Sequence, residues 1–153
     1  MLSGVRPLWL VCEDGTEYVD RFGRFLDAEF QFVRVADGPE LVERLAAGGV
    51  AGVILDLDFR RTPPERLVDD QGTSHAVLPD ELRRQLAAAQ GILILRLVRS
   101  RGLAVPVLLF ADLEDAGQTE YLERTLAPLA VVPGHEGLMQ TAARLRAMSA
   151  PAG

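Results

Sequence analysis

Lysine is missing from this chain altogether: its 16 basic residues are all arginine. Any mechanism that needs an ε-amine is thereby excluded, whether as nucleophile, as tunable base or as a compact cation beside a phosphoryl group. The single cysteine, Cys12, rules out an internal disulfide, and its apolar surroundings mark it as a buried thiol rather than a reactive one. The two histidines, His75 and His135, stand alone in loop-like stretches, so no His/Cys metal spacing exists. Positive charge is also in deficit. The chain carries 22 acids and a net charge of −6, which leaves nothing to displace counterions from phosphates, and no nucleic-acid partner is expected. No apolar run is long enough to span a bilayer, and the N-terminus lacks the basic-then-apolar pattern of a signal peptide. A cytoplasmic protein without membrane insertion is the expectation. P-loop and Gly-rich dinucleotide turns are absent as well.

What is present is a regular alternation. Hydrophobic residues make up 48% of the 153, enough for one domain, 1–153, to bury a core. The apolar run Pro7 to Cys12 reads as a strand stopped by Glu13-Asp14-Gly15, and Asp14 to Glu29 carries Tyr18, Phe22, Phe25 and Leu26 at helical spacing. Phe30 to Ala36 is a second strand. Asp37-Gly38-Pro39 opens a helix, with Asp37 as N-cap, that ends at Gly48-Gly49. Val50 to Leu57 is a third, fully apolar strand. Phe59 to Leu78, with Pro63-Pro64, Asp69-Asp70 and Gly72, reads as a long loop before helices over Pro79 to Ala89 and Gly91 to Arg101. A fourth strand over Val105 to Ala111, a helix to Leu126, a short strand Leu129 to Val132 and a last helix over Glu136 to Met148 complete the pattern. The tail, about 149–153, is expected to fray. This order predicts an α/β, flavodoxin-like, doubly wound five-stranded parallel sheet, order 2-1-3-4-5, with a long insertion at about 60–90 between strands three and four.

In such sheets ligands bind beyond the carboxyl ends of the strands, where the strand order reverses. Strand one ends in Glu13 and Asp14, and strand three ends in Asp56 and Asp58. The fold is therefore expected to gather these carboxylates at one edge, and oxygen donors of this kind suit Mg²⁺.

These residues resemble the response-regulator receiver domains over most of the chain outside about 60–90. Phe32 to Val42 looks like a receiver's second strand and the start of its second helix, Val53-Ile54-Leu55-Asp56-Leu57 like its phosphoacceptor strand, and Val105 to Leu109 like its fourth strand. The resemblance implies that Asp56 accepts a phosphoryl group. It implies that Glu13 and Asp14, with Asp56 and the backbone carbonyl of Asp58, hold Mg²⁺, Glu13 being a conservative departure. Two further departures are serious. The family's hydroxyl residue at the end of strand four aligns with Ala111, and its lysine at the end of strand five falls at Pro133. Those groups make the phosphorylated state differ energetically from the unmodified one, and without differential contacts a modification shifts no equilibrium. A pseudo-receiver acting through protein–protein interaction is therefore expected. Its partners would be a histidine kinase or an effector on a separate chain, and a second copy of the chain is a further candidate. If the insertion folds back, Arg60 and Arg61 would neutralise the acids in place of the lysine. Two enzymatic alternatives remain open at this level. The DxD of Asp56-Leu57-Asp58 also resembles haloacid-dehalogenase-like phosphatases, and Glu13 with that DxD resembles topoisomerase-primase-type nucleases, which use acids and Mg²⁺.

Overall fold

The computed structural model describes residues 5–74 and 77–149. His75 lies outside them, as does the tail beyond Ser149. Five parallel strands, β1 (Leu8–Cys12), β2 (Gln31–Val35), β3 (Gly52–Asp56), β4 (Val107–Phe110) and β5 (Leu129–Val132), form one sheet in the order β2-β1-β3-β4-β5. Between and after them run α1 (Glu17–Phe25), α2 (Gly38–Ala46), α3 (Asp80–Ala88), α4 (Gln90–Ser100), α5 (Ala116–Thr125) and α6 (Leu138–Ser149). This is the doubly wound sheet that the alternating pattern predicts.

Strand side chains alternate between faces, which divides the core in two. Leu10, Cys12, Val53, Leu55, Val107 and Leu109 pack against α2, α3 and α4 on one face. Trp9, Val11, Ile54, Leu108 and Phe110 meet Phe22 of α1 and Leu145 of α6 on the other. The Trp9 indole N–H, inside that second layer, donates to the Ser149 hydroxyl at 2.8 Å. The tail is thus tied down as far as Ser149. Asp37 caps α2, its carboxylate accepting the Glu40 N–H at 3.0 Å, while the Glu40 carboxylate accepts the Ala36 N–H at 2.7 Å, and the two bonds fix the helix start. Gly48 and Gly49 leave α2 at φ of 82° and 79°, backbone that residues with a Cβ rarely adopt.

Helix α1 is shorter than the aromatic spacing suggests, starting at Glu17 rather than Asp14 and ending at Phe25 rather than Glu29. Both Glu13 carboxylate oxygens accept amides of its first turn, which keeps residues 13–16 outside the helix.

The stretch after β3 is a packed element, not a slack loop. Phe59, Leu67 and Val68 are 0%, 1% and 1% exposed, and all three enter the core layer of α2 and α4. A single 3₁₀ turn (Pro64–Arg66) and an antiparallel bridge between Val68 and Ser74 give it local order. Three ties hold it to the body. The Phe59 N–H donates to Ala87 O at 2.9 Å, the Arg66 guanidinium forks onto Asp37 at 2.8 and 2.9 Å, and the buried Gln90 amide pairs with both backbone groups of Val68, each at 2.9 Å.

Candidate functional site

Register determines what stands at the carboxyl edge. Cys12 pairs with Leu55, Asp56 with Phe110, and Phe110 with Val132. Glu13 thus stands level with Asp56, and one residue further come Leu57, Ala111 and Pro133. Asp56 therefore faces the end of β4, and the residues that follow β4 and β5 are a buried methyl and an exposed proline ring. Neither can donate to an oxyanion.

Asp56 is half-buried, and one carboxylate oxygen accepts its neighbour's Leu57 N–H at 2.9 Å. Burial pushes its pKa from 3.8 to about 6; the Leu57 N–H opposes that shift, and the charges of Asp14, Glu13 and Asp58 add to it. An acid whose folded pKa lies above its unfolded value binds more protons when folded. Its contribution to stability is thus fully present below pH 3.8 and lost as pH rises through about 6. Asp56→Asn should match wild type near pH 4 and be more stable at pH 7.5 by roughly 1 kcal/mol, the full shift being discounted for solvent screening. Urea unfolding at the two pH values checks this, and an equal difference at both would refute it.

The other acids each have their own partner. Glu13, 1% exposed, accepts the Tyr18 and Val19 N–H groups at 3.0 and 2.8 Å, and burial raises its pKa. Asp14 accepts the Arg61 backbone N–H at 2.8 Å and its guanidinium at 2.9 Å, and the same guanidinium forks onto Glu17 at 2.9 and 3.0 Å. That fork holds the Glu17 carboxyl at about 2. Asp58 accepts the Arg60 N–H at 2.9 Å and its guanidinium at 2.6 Å, which lowers its pKa. The reason is local: Phe59 anchors in the core, so the turn that follows throws Arg60 and Arg61 outward over the acids. The oxygen donors have the right chemistry for Mg²⁺, and here Asp14 and Asp58 are turned to arginines. Among the described residues no three carboxylate, imidazole or thiolate groups are gathered to share an ion. The same holds for the DxD pair, since Asp58 is turned to Arg60.

Several participants carry no local signal in the sequence. Tyr18 reads there as core, and its ring does stack on Phe110 at 4.9 Å. Its hydroxyl, however, reaches the Gly134 turn beside Asp112, and burial with the charges of Asp56, Glu13 and Asp112 raises its pKa to about 12. Asp112 accepts the Gly134 N–H at 3.1 Å and so closes the β4–β5 edge. Gln90 and Arg66, which hold the insertion down, are equally invisible to periodicity. His135 is exposed in the turn after β5.

Solved structures share this fold. The receiver domain of a Francisella response regulator superposes with a TM-score of 0.66 at 12% identity, covering 94% of this chain and 97% of that one. The fold is that of a response-regulator receiver domain. A Sinorhizobium medicae receiver protein (TM-score 0.61, 17% identity) covers 96% of this chain and 97% of its own. A Vibrio cholerae chemotaxis protein (TM-score 0.59, 14% identity) covers 92% of this chain and 99% of its own. Neither a family model nor a curated protein sequence matches the chain. The receiver fold explains why the two acid-bearing strands end side by side. Among the described residues, no helix is long and apolar enough to cross a membrane.

Proposed function

We propose that this chain is a receiver-like signalling module of the pseudo-receiver kind, which acts by binding proteins without a phosphoryl-driven switch. The observation that carries the reading is the register that sets Asp56 level with Phe110 while Ala111 and Pro133 follow on β4 and β5. A phosphoryl group on Asp56 would meet no hydroxyl and no ammonium from the residues that follow β4 and β5, so it gains none of the contacts there that would distinguish one conformation from another. The Arg61 guanidinium supports the same reading from the other side. It places a fixed cation on Asp14, where a receiver would draw on a metal ion's charge. The partner-binding face would then be constitutive, and the exposed Tyr121 on α5 is a natural contact for a histidine kinase or a separate effector chain.

Amide spectra with and without beryllofluoride and Mg²⁺ test this. Shifts confined to residues around Asp56 are expected, and large shifts from Tyr121 through Val132 would refute the reading. A second arm uses Arg61→Ala. Freed from the guanidinium, Asp14 should bind Mg²⁺ about tenfold more tightly than in wild type, seen as a larger rise in Tm at equal Mg²⁺. Equal rises in both proteins would show that Arg61 does not compete with the ion.

A further inference from the structure

Helix α3 lies within the 60–90 insertion and is docked shallowly: of its nine residues, Ala87 alone is buried. No side chain caps its start, where Pro79 holds the N-cap position. A helix this short is marginal on its own and draws its stability from an apolar face covered by other atoms. Part of that face is left open. Leu78, Leu82 and Leu86 recur at four-residue spacing, and with Leu93 of α4 they line a groove of about 370 Å³. Leu82 is 49% exposed, and Val77, just before the stripe, is 96% exposed. The two polar groups of the lining are already engaged. The Asp69 carboxylate accepts the Gln71 and Thr73 N–H groups at 2.9 Å each, and the Gln85 amide donates to Glu81 at 3.3 Å.

The order of the charges says what covers it. Asp80 and Glu81 precede Leu82, and Arg83 and Arg84 follow it. These side chains pair within the helix, Asp80 with Arg83 at 2.8 Å and Glu81 with Arg84 at 2.9 Å, and remain 40–77% exposed. The segment is thus symmetric about Leu82 in its apolar residues and antisymmetric in its charges. Laid against a second copy running the opposite way, about a two-fold axis at Leu82, Leu78 of each copy comes level with Leu86 of the other. Leu82 meets its own equivalent, and Asp80 and Glu81 come level with Arg84 and Arg83. A two-fold interface requires one patch that is complementary to itself. This segment meets that requirement, with leucine on leucine and acid beside arginine. The same helices run in parallel would set acid beside acid and arginine beside arginine.

We propose that α3 is a homodimerisation face, on which a second copy of this chain packs its own α3 antiparallel over the leucine stripe. Each acid then accepts from an arginine of either copy, so that isolated surface pairs become a charge network, which holds better than they do. A partner of other sequence would use the apolar stripe without needing this order of charges. The face is made by the insertion and does not involve Asp56, so it serves whether or not that residue is modified.

Sedimentation equilibrium of the full chain, with amide spectra over the same concentrations, tests this. Dimerisation with a Kd on the order of 100 µM or tighter is expected, and the concentration-dependent shifts should centre on Val77, Leu78, Leu82, Leu86 and Leu93. Leu82→Asp sets two carboxylates on the two-fold axis and should weaken the dimer about tenfold or more. Two charge variants probe the register: Asp80→Arg with Glu81→Arg, and Arg83→Glu with Arg84→Glu. All four substitutions fall on exposed side chains, and far-UV dichroism verifies that each variant is folded. Each alone should self-associate about tenfold more weakly than wild type, while their equimolar mixture should form a heterodimer at least as tight as the wild-type dimer. A chain that stays monomeric at about 1 mM leaves the groove to some other partner and overturns the proposal. So does a dimer indifferent to Leu82→Asp, or a mixture of the two charge variants that associates no better than either alone.

Discussion

Gly91→Ala is expected to cost about 3 kcal/mol and to lower Tm by roughly 6–12 °C. Gly91 lies in the first turn of α4, where its N–H donates to Leu57 O at 2.9 Å and draws the helix onto the end of β3. A methyl group there would stand 2.7 Å from the Leu57 Cα and closer still to the Asp56 carbonyl oxygen. These are backbone atoms of a central strand, paired with β1 on one side and β4 on the other, so they cannot yield as a flexible side chain would. The relief available is to lift α4, which loosens Ile94, Leu95 and Val98 in the core and also the Gln90–Val68 pairing that secures the insertion. Denaturant unfolding measures the loss. A cost below about 1 kcal/mol would mean that α4 is not pressed against β3 as described.

Glu13→Ala should cost about 2–4 kcal/mol. The carboxylate is the acceptor that serves the Tyr18 and Val19 N–H groups, because the N-cap residue Thr16 makes no side-chain bond to the first turn. Removing it leaves two helix donors without a partner beside a buried site, and a charge-accepting bond is worth more than a neutral one. Glu13→Gln keeps one acceptor oxygen and should lose about 1 kcal/mol. Thermal unfolding and far-UV dichroism of the three proteins separate this role from metal ligation. A ligand to an ion would show its loss only when Mg²⁺ is present, whereas a helix cap shows it without any metal. Equal stability of Glu13→Ala and wild type in metal-free buffer would sink the capping role.

These two positions illustrate different depths of legibility. Glu13 stands out in the sequence as an acid at the end of an apolar strand, but the pattern there does not say whether its oxygens turn to the acid edge or back to the helix that follows. Gly91 reads as little more than the start of a helix, because nothing local reveals that a strand backbone will pass within contact distance of its Cα.

The chain's own pattern determined the architecture and its edge. Period-two apolar runs and period-3.6 stripes are local properties, and alternating strands and helices admit few arrangements other than a doubly wound parallel sheet. Once that sheet forms, Glu13, Asp14, Asp56 and Asp58 must arrive at one edge, Ala111 and Pro133 must follow β4 and β5, and the absence of lysine is beyond any misreading of the alignment. Tertiary structure alone decided which group each acid meets. The Arg61–Asp14 contact joins residues 47 apart, and Gln90 reaches Val68 across 22. Such pairings depend on where Phe59 and Leu67 find room in the core and on how close Gly91 lets α4 come to β3. Short-range periodicity encodes which face of an element is apolar; it carries no information about which distant side chain will occupy the space beside a polar atom.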